Sequence, residues 1–244
     1  MVDLNSLNVK IFLDTANLDS IKDALNKYPF VKGFTTNPSL MHKEGVKDYE
    51  SFCKKALEIS SSLPISFEVF SDDIKDMEEE ARIINSWGGN SYVKIPITNT
   101  KGELTTNIIK NLTQDAIKVN ITAIFTLNQV TEIIDSFKSD TPSIISIFAG
   151  RIADSGIDPI DTMRKCSEII SEKKNLELLW ASSREILNII HAENSNSHII
   201  TIAPDILSKI ELLNKNLDDF SLETVKDFFK DANNAGFNIL KKDS

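Results

Sequence analysis

From Val9 onward the chain repeats one pattern. A short apolar run rich in β-branched residues is followed by a polar turn, then by a longer segment whose apolar positions recur at helical spacing. The first unit is Val9–Leu13, followed by Leu18, Ile21 and Leu25 on one helical face, with Asn17 placed to cap it. Further strands are predicted at Val31–Thr36, Ile65–Phe70, Ser91–Ile95, Ile117–Thr122, Ser143–Phe148, Leu176–Ala181 and His198–Ile202. Between them lie amphipathic stretches such as Ile74, Met77, Ala81 and Ile84, or Leu127, Val130, Ile133, Ile134 and Phe137. Strands that alternate with helices pair in parallel through right-handed crossovers. Eight such units in 244 residues predict a single closed (β/α)8 TIM barrel of the α/β class spanning residues 1–244. The alternative is an open doubly wound sheet. Residues 218–240, with Leu222, Val225, Phe228, Phe229 and Ala232 in helical register, predict one added C-terminal helix. Folding back on the barrel or docking on a neighbouring subunit would both cover it, so a homo-oligomer stays open.

Composition narrows the chemistry. No apolar run approaches the roughly 20 residues that span a bilayer, and Met1–Lys10 lacks the form of a secretory signal, so a cytoplasmic protein is expected, away from membranes. A net charge of −9 without a basic stripe argues against a nucleic-acid partner. Cys53 and Cys166 fall at apolar positions of helical segments, and His42, His191 and His198 have no ligand spacing. Neither a disulfide framework nor a metal is expected. The glycines form no G-x-G-x-x-G or G-x-x-x-x-G-K turn after the first strand, so no nucleotide cradle is visible.

In a barrel the chemistry lies where strands end. Those ends carry Asp14, Asn37, Glu68, Lys94, Asn120 with Thr122, Ser146 with Arg151, and Ser182 with Arg184. Lys94 shares a strand face with Tyr92 and Pro96, so it either marks a solvated edge or enters the barrel mouth. Buried there, with its pKa lowered, it would be an amine able to form a Schiff base. Asp14 and Glu68 read as surface charges or loop caps unless a closed barrel brings them together, in which case two acids in unlike surroundings can divide proton transfer. Ala181-Ser182-Ser183-Arg184 reads as an ordinary helix N-cap or, after a seventh strand, as a phosphate site to which Arg151 adds charge.

The segments Phe12-Leu13-Asp14-Thr15-Ala16, Thr35-Thr36-Asn37-Pro38-Ser39-Leu40, Val93-Lys94-Ile95-Pro96, Asn120-Ile121-Thr122, Phe148-Ala149-Gly150-Arg151 and Ala181-Ser182-Ser183-Arg184 occur in this order from the first strand to the seventh. Together they resemble the transaldolase family, and within it the small branch of short transaldolases and fructose-6-phosphate aldolases. The resemblance implies class I aldol chemistry in the pentose phosphate pathway with no metal or organic cofactor. Lys94 would attack the ketone of a ketose phosphate, and Asp14 would exchange the C4 hydroxyl proton. Glu68 and Thr122 would hold the shuttling water. Asn37, Asn120 and Ser146 would bind the dihydroxyacetone hydroxyls, and Ser182, Arg184 and Arg151 the distal phosphate. Within that branch, Glu68 and Phe148 are the transaldolase pattern, whereas the aldolases that release free dihydroxyacetone carry Gln and Tyr there. A catalytically silent barrel acting as a binding protein is the remaining alternative, against which Lys94, Asp14 and Glu68 are all present.

Overall fold

The computed structural model describes residues 2–138, 140–237 and 239. In chain order the elements begin with β1 (Lys10–Asp14), α1 (Leu18–Lys27), β2 (Val31–Thr35), α2 (Pro38–Lys43), α3 (Tyr49–Ser60), β3 (Ile65–Glu68) and α4 (Ile74–Ser86). They continue with β4 (Ser91–Pro96), α5 (Thr106–Gln114), β5 (Val119–Ile124), α6 (Leu127–Ile133), β6 (Ser143–Ile147), α7 (Ala149–Asp154) and α8 (Ile160–Ile170). The remaining elements are β7 (Leu176–Trp180), α9 (Leu187–Asn194), β8 (Ile199–Ile202), α10 (Pro204–Leu207) and α11 (Leu217–Asn234). Strands β1 to β8 pair in sequence order, and β8 closes on β1, all parallel. Closure disposes of the open-sheet alternative.

The chain divides into two units. One is Asp3–Ser208, which contains the whole barrel; the other joins Met1–Val2 to Lys209–Ser244. The second unit holds α11, which begins at the cap Asn216, whose side chain accepts from the backbone N–H groups of Asp218 and Asp219. The helix expected over 218–240 ends at Asn234, and Asn238 and Leu240 of that range lie outside the described residues. No helix among the described residues is long and apolar enough to cross a membrane.

The register of the barrel decides which side chains meet. Phe12 pairs with Gly33 on one side and Thr201 on the other, and its ring fills the space a Gly33 side chain would need, with ring atoms 2.6–2.8 Å from where a Cβ would stand. Phe12, Tyr92, Ile144, Leu179, Ala181 and Ile199 form a buried cluster with Phe148 against it. These are the alternate positions of their strands, so the interior is a packed apolar layer. One step further along each strand the same face turns polar: Asp14 stands opposite Thr35, and Glu68 opposite Lys94, which in turn faces Asn120. The outward positions, such as Ile11, Leu13, Phe67, Val93 and Ile95, are buried under the helices. Cys53 and Cys166 are free thiols buried in α3 and α8.

Candidate active site

Lys94 lies inside the barrel, not on an edge, and only 9% of its surface is exposed. Its Nζ donates to the backbone carbonyl of Thr36 at 2.7 Å and lies 3.0 Å from Glu68 Oε1. The contact with Glu68 is an ion pair outside hydrogen-bond geometry, which leaves Oε1 without a hydrogen-bond partner. The opposite carboxylate oxygen, Oε2, accepts from the Thr36 hydroxyl at 3.0 Å. Burial pushes the Glu68 carboxyl up to about 7; the Lys94 charge and the hydrogen bonds oppose that rise, and nearby Asp14 adds to it. The acid is therefore poised to exchange protons near neutrality.

Asp14, the second acid, is fixed by two donors. Thr35 Oγ1 donates to Oδ1 at 2.7 Å, and Asn37 Nδ2 donates to Oδ2 at 3.1 Å. Because the single Thr35 hydrogen goes to Asp14, Thr201 supplies the hydrogen of the 2.6 Å contact between the two threonine hydroxyls. Burial raises the Asp14 carboxyl above the ordinary carboxylate range, and Lys94, Thr35 and Asn37 restrain the rise. Asn37 is held by its place in the chain. Its Oδ1 caps α2 by accepting from Leu40 N at 2.9 Å, with Pro38 at the first helical position, so the amide nitrogen is left pointing at Asp14.

On the far side of Lys94, Ser146 donates to Asn120 Oδ1 at 2.6 Å, and Asn120 Nδ2 donates to Ser66 at 3.0 Å. All three are buried. Thr122 faces Pro96 in the register, and its buried hydroxyl has no partner. The pairing of β5 with β6 slips between Ile121 and Ile124, and Ala123 sits at φ +60°, a left-handed conformation that non-glycine residues rarely adopt. That irregularity lies beside the orphan hydroxyl, where stored backbone strain commonly accompanies function.

A cavity of about 290 Å³ reaches Asp14, Asn37 and Lys94 and is also lined by Phe148, Arg151 and Ser182, whereas Glu68, Asn120, Thr122 and Ser146 lie behind its lining. A larger one, about 710 Å³, lies where strands begin and is lined by Ser143, Leu176, Lys173, Lys174 and His198. The smaller cavity is the candidate site, because it is the one that meets a buried lysine and an acid at the strand ends.

A family model described as Transaldolase/Fructose-6-phosphate aldolase matches residues 11–241. The chain belongs to this family. A probable transaldolase of Streptococcus equi subsp. zooepidemicus is 37% identical over 203 residues, which cover 83% of this chain and 90% of the relative. A probable transaldolase of Streptococcus pyogenes serotype M1 matches with the same identity and coverage. Among solved structures, KGPDC from Streptococcus mutans superposes with a TM-score of 0.55 at 11% identity, over 82% of this chain and 90% of its own. N-acetylneuraminate lyase from Mycoplasma synoviae gives 0.52 at 9% identity, over 92% and 82%. At such identities the structures share the fold alone.

In this family member Arg151 and Ser182 reach the cavity, and the Arg151 guanidinium lies 5.0 Å from the centre of the Phe148 ring. Arg184 does not line the cavity. Asp154 holds it through Nε, 3.1 Å from both carboxylate oxygens, and Nη2, 2.5 Å from Oδ2. The Ser182-Ser183 pair does not cap a helix either. Helix α9 starts later, at Leu187, with no side-chain cap. Ser182 takes φ +64°, Ser183 donates to the Thr201 carbonyl at 2.6 Å, and Asn188 Oδ1 accepts from the backbone of Arg184 at 2.8 Å. The turn is shaped by Gly150, where a Cβ would stand 1.6 Å from the Ser182 carbonyl oxygen.

Thr35, Thr36, Ser66, Thr201 and Asp154 take part in these networks without having been singled out in the sequence. Strand parity could have found Thr35, which alternates with Gly33 onto the inner face and pairs with Asp14. Thr36 falls within the Thr35–Leu40 motif, but nothing in the motif gives its role, which comes from a backbone carbonyl and a cross-strand hydroxyl.

Proposed function

We propose that this member of the family is a transaldolase, transferring a dihydroxyacetone unit from a ketose phosphate such as fructose 6-phosphate or sedoheptulose 7-phosphate to an aldose phosphate such as erythrose 4-phosphate or glyceraldehyde 3-phosphate. The observation that carries the reading is the buried Lys94–Glu68 pair, 3.0 Å apart at the strand ends, with Asp14 opening onto the same cavity.

Lys94 passes a proton to Glu68, and the neutral amine attacks the C2 carbonyl of the ketose. The carbinolamine loses its hydroxyl as water, with Glu68 giving the proton, and an iminium remains. Asp14 takes the C4 hydroxyl proton as the C3–C4 bond breaks; the bond's electron pair flows into the iminium to give an enamine, and the aldose departs. On the acceptor, enamine C3 attacks the aldehyde carbon and Asp14 returns its proton to the new hydroxyl. Water held by Glu68 and the unpartnered Thr122 hydroxyl then adds to the iminium to free the ketose. Asn37, Asn120 and Ser146 bind hydroxyls of the three-carbon unit. Arg151 and Ser182 meet the distal phosphate, and Arg184 joins them when it leaves Asp154.

Glu68 and Phe148 support transfer over release of free dihydroxyacetone, as do relatives named probable transaldolase. The test supplies fructose 6-phosphate with and without erythrose 4-phosphate and measures free dihydroxyacetone and glyceraldehyde 3-phosphate. Transfer is expected to be fast and release slow. Release without acceptor at the rate of transfer would make the protein an aldolase. Borohydride reduction during turnover labels the Lys94 peptide with three carbons, and a label on another lysine overturns the assignment.

A further inference from the structure

Thr36 touches both members of the central pair. Its carbonyl accepts from Lys94, and its hydroxyl lies 3.0 Å from Glu68 Oε2 and 2.8 Å from the Ser66 carbonyl. The residue is fully buried, so water offers no substitute for these partners. A hydroxyl has one hydrogen to give and lone pairs with which to accept, whereas the Ser66 carbonyl only accepts. With Glu68 ionised, the hydrogen points at Oε2. With Glu68 protonated on Oε2, the acid's O–H donates to the Thr36 oxygen, and the Thr36 hydrogen turns to Ser66. The Thr36 hydroxyl, Glu68 Oε2 and the Ser66 carbonyl, which also accepts from Thr36 N at 3.2 Å, stay satisfied in both states, so no further unpaired group is buried beside Oε1.

We propose that Thr36 is a positioning residue whose hydroxyl rotates between Glu68 and Ser66 as Glu68 loses and gains its proton, holding the carboxyl in one place while it shuttles protons for the Schiff base. The proposal rests on the reading of Glu68 as the group that moves those protons.

The other groups facing Glu68 do not provide this. Lys94 on β4 lowers the carboxyl's affinity for a proton by its charge and its close contact, and Asp14 on β1 raises it through charge. From α3, the Tyr49 hydroxyl donates to the Glu68 backbone carbonyl at 2.7 Å instead of its carboxylate. Cys53, also on α3, has its thiol pushed up mainly by burial, and Glu80 on α4 is engaged by the backbone of Phe70 and Ser71. Only the Thr36 hydroxyl among the described residues reaches the carboxyl with a hydrogen it can also place elsewhere.

The experiment follows the protonated-carboxyl infrared band of the full chain against pH without substrate, identified by its loss in Glu68→Gln. Thr36→Val keeps the shape, removes the hydroxyl and leaves the carbonyl on Lys94. The Glu68 midpoint is expected to rise by about one pH unit, a tenfold change in its acid constant, because the bond lost from the charged form is charge-assisted and stronger than the neutral bond lost from the acid form. Thr36→Ser, which restores the rotor, returns it to the wild-type value, and the acid limb of the transfer rate moves in parallel. If Thr36→Val does not fold, Thr36→Ala carries the same expectation. An unmoved midpoint in these variants overturns the proposal, as does a serine variant that shifts as far as valine. A shifted midpoint in a protein that performs no sugar transfer would instead sink the transaldolase reading and leave the Thr36 assignment standing.

Discussion

Gly150→Ala tests how tightly the turn carrying Ser182 is clamped. A Cβ at position 150 would stand 1.6 Å from the Ser182 carbonyl oxygen and 2.6 Å from its carbon, both backbone atoms that no rotamer change can move. To regain ordinary contact at 3.4 Å, the turn must retreat by roughly 1.8 Å. It is tied down on both sides: Gly150 N donates to Ala181 O at 3.2 Å, Ala181 N to Ile147 O at 2.8 Å, and Ser183 Oγ to Thr201 O at 2.6 Å. Overpacking of this kind costs about 1–3 kcal/mol, and each strained buried hydrogen bond about 1 kcal/mol more, giving a loss of about 2–4 kcal/mol. For a chain of this size that lowers Tm by about 5–15 °C. Arg151, next in α7, and Ser182 both line the cavity, so the displacement also raises KM for phosphorylated substrates about tenfold or more while Lys94 still traps the three-carbon unit. Calorimetry and steady-state kinetics measure the two effects. A variant melting within about 2 °C of wild type with unchanged KM refutes the clamp.

Asp154→Asn frees the Arg184 guanidinium from its carboxylate and is expected to lower KM for phosphorylated acceptors about two- to five-fold, as suits an exposed pair, with no change for unphosphorylated ones. A raised KM for phosphorylated acceptors would show that Asp154 aims the arginine instead of withholding it. The Glu68 carboxyl, at about 7 when folded against 4.5 ordinarily, binds its proton more tightly in the native state. Its contribution to stability is therefore fully present below about pH 4.5 and is lost as pH rises through about 7, by about 3 kcal/mol at most and shared with its coupled partner Lys94. Denaturant titrations of wild type and Glu68→Gln at about pH 5 and about pH 8 should show a shallower decline in the variant. An equal or steeper decline refutes the burial argument.

Strand order and the parity of Asp14, Glu68 and Lys94 were legible along the chain because a β-strand alternates its faces with period two, and alternation is local information. Tyr92, Lys94 and Pro96 lie on one face whatever surrounds them. Whether that face looked at water or into a barrel was a matter of closure, which the pairing of β8 with β1 decided. The same holds for the chemistry. Motif and spacing picked out Lys94, Asp14, Glu68 and Asn37, but the raised Glu68 carboxyl is a product of burial and exists only once the barrel has excluded water. Arg184 marks the opposite boundary. Its position after the seventh strand was readable, yet its partner, Asp154, comes from a separate helix 30 residues away. Thr36 shows the boundary most sharply: an alternating pattern says where a side chain points, while a backbone carbonyl meeting a lysine from another strand depends on inter-strand register, which no single segment encodes.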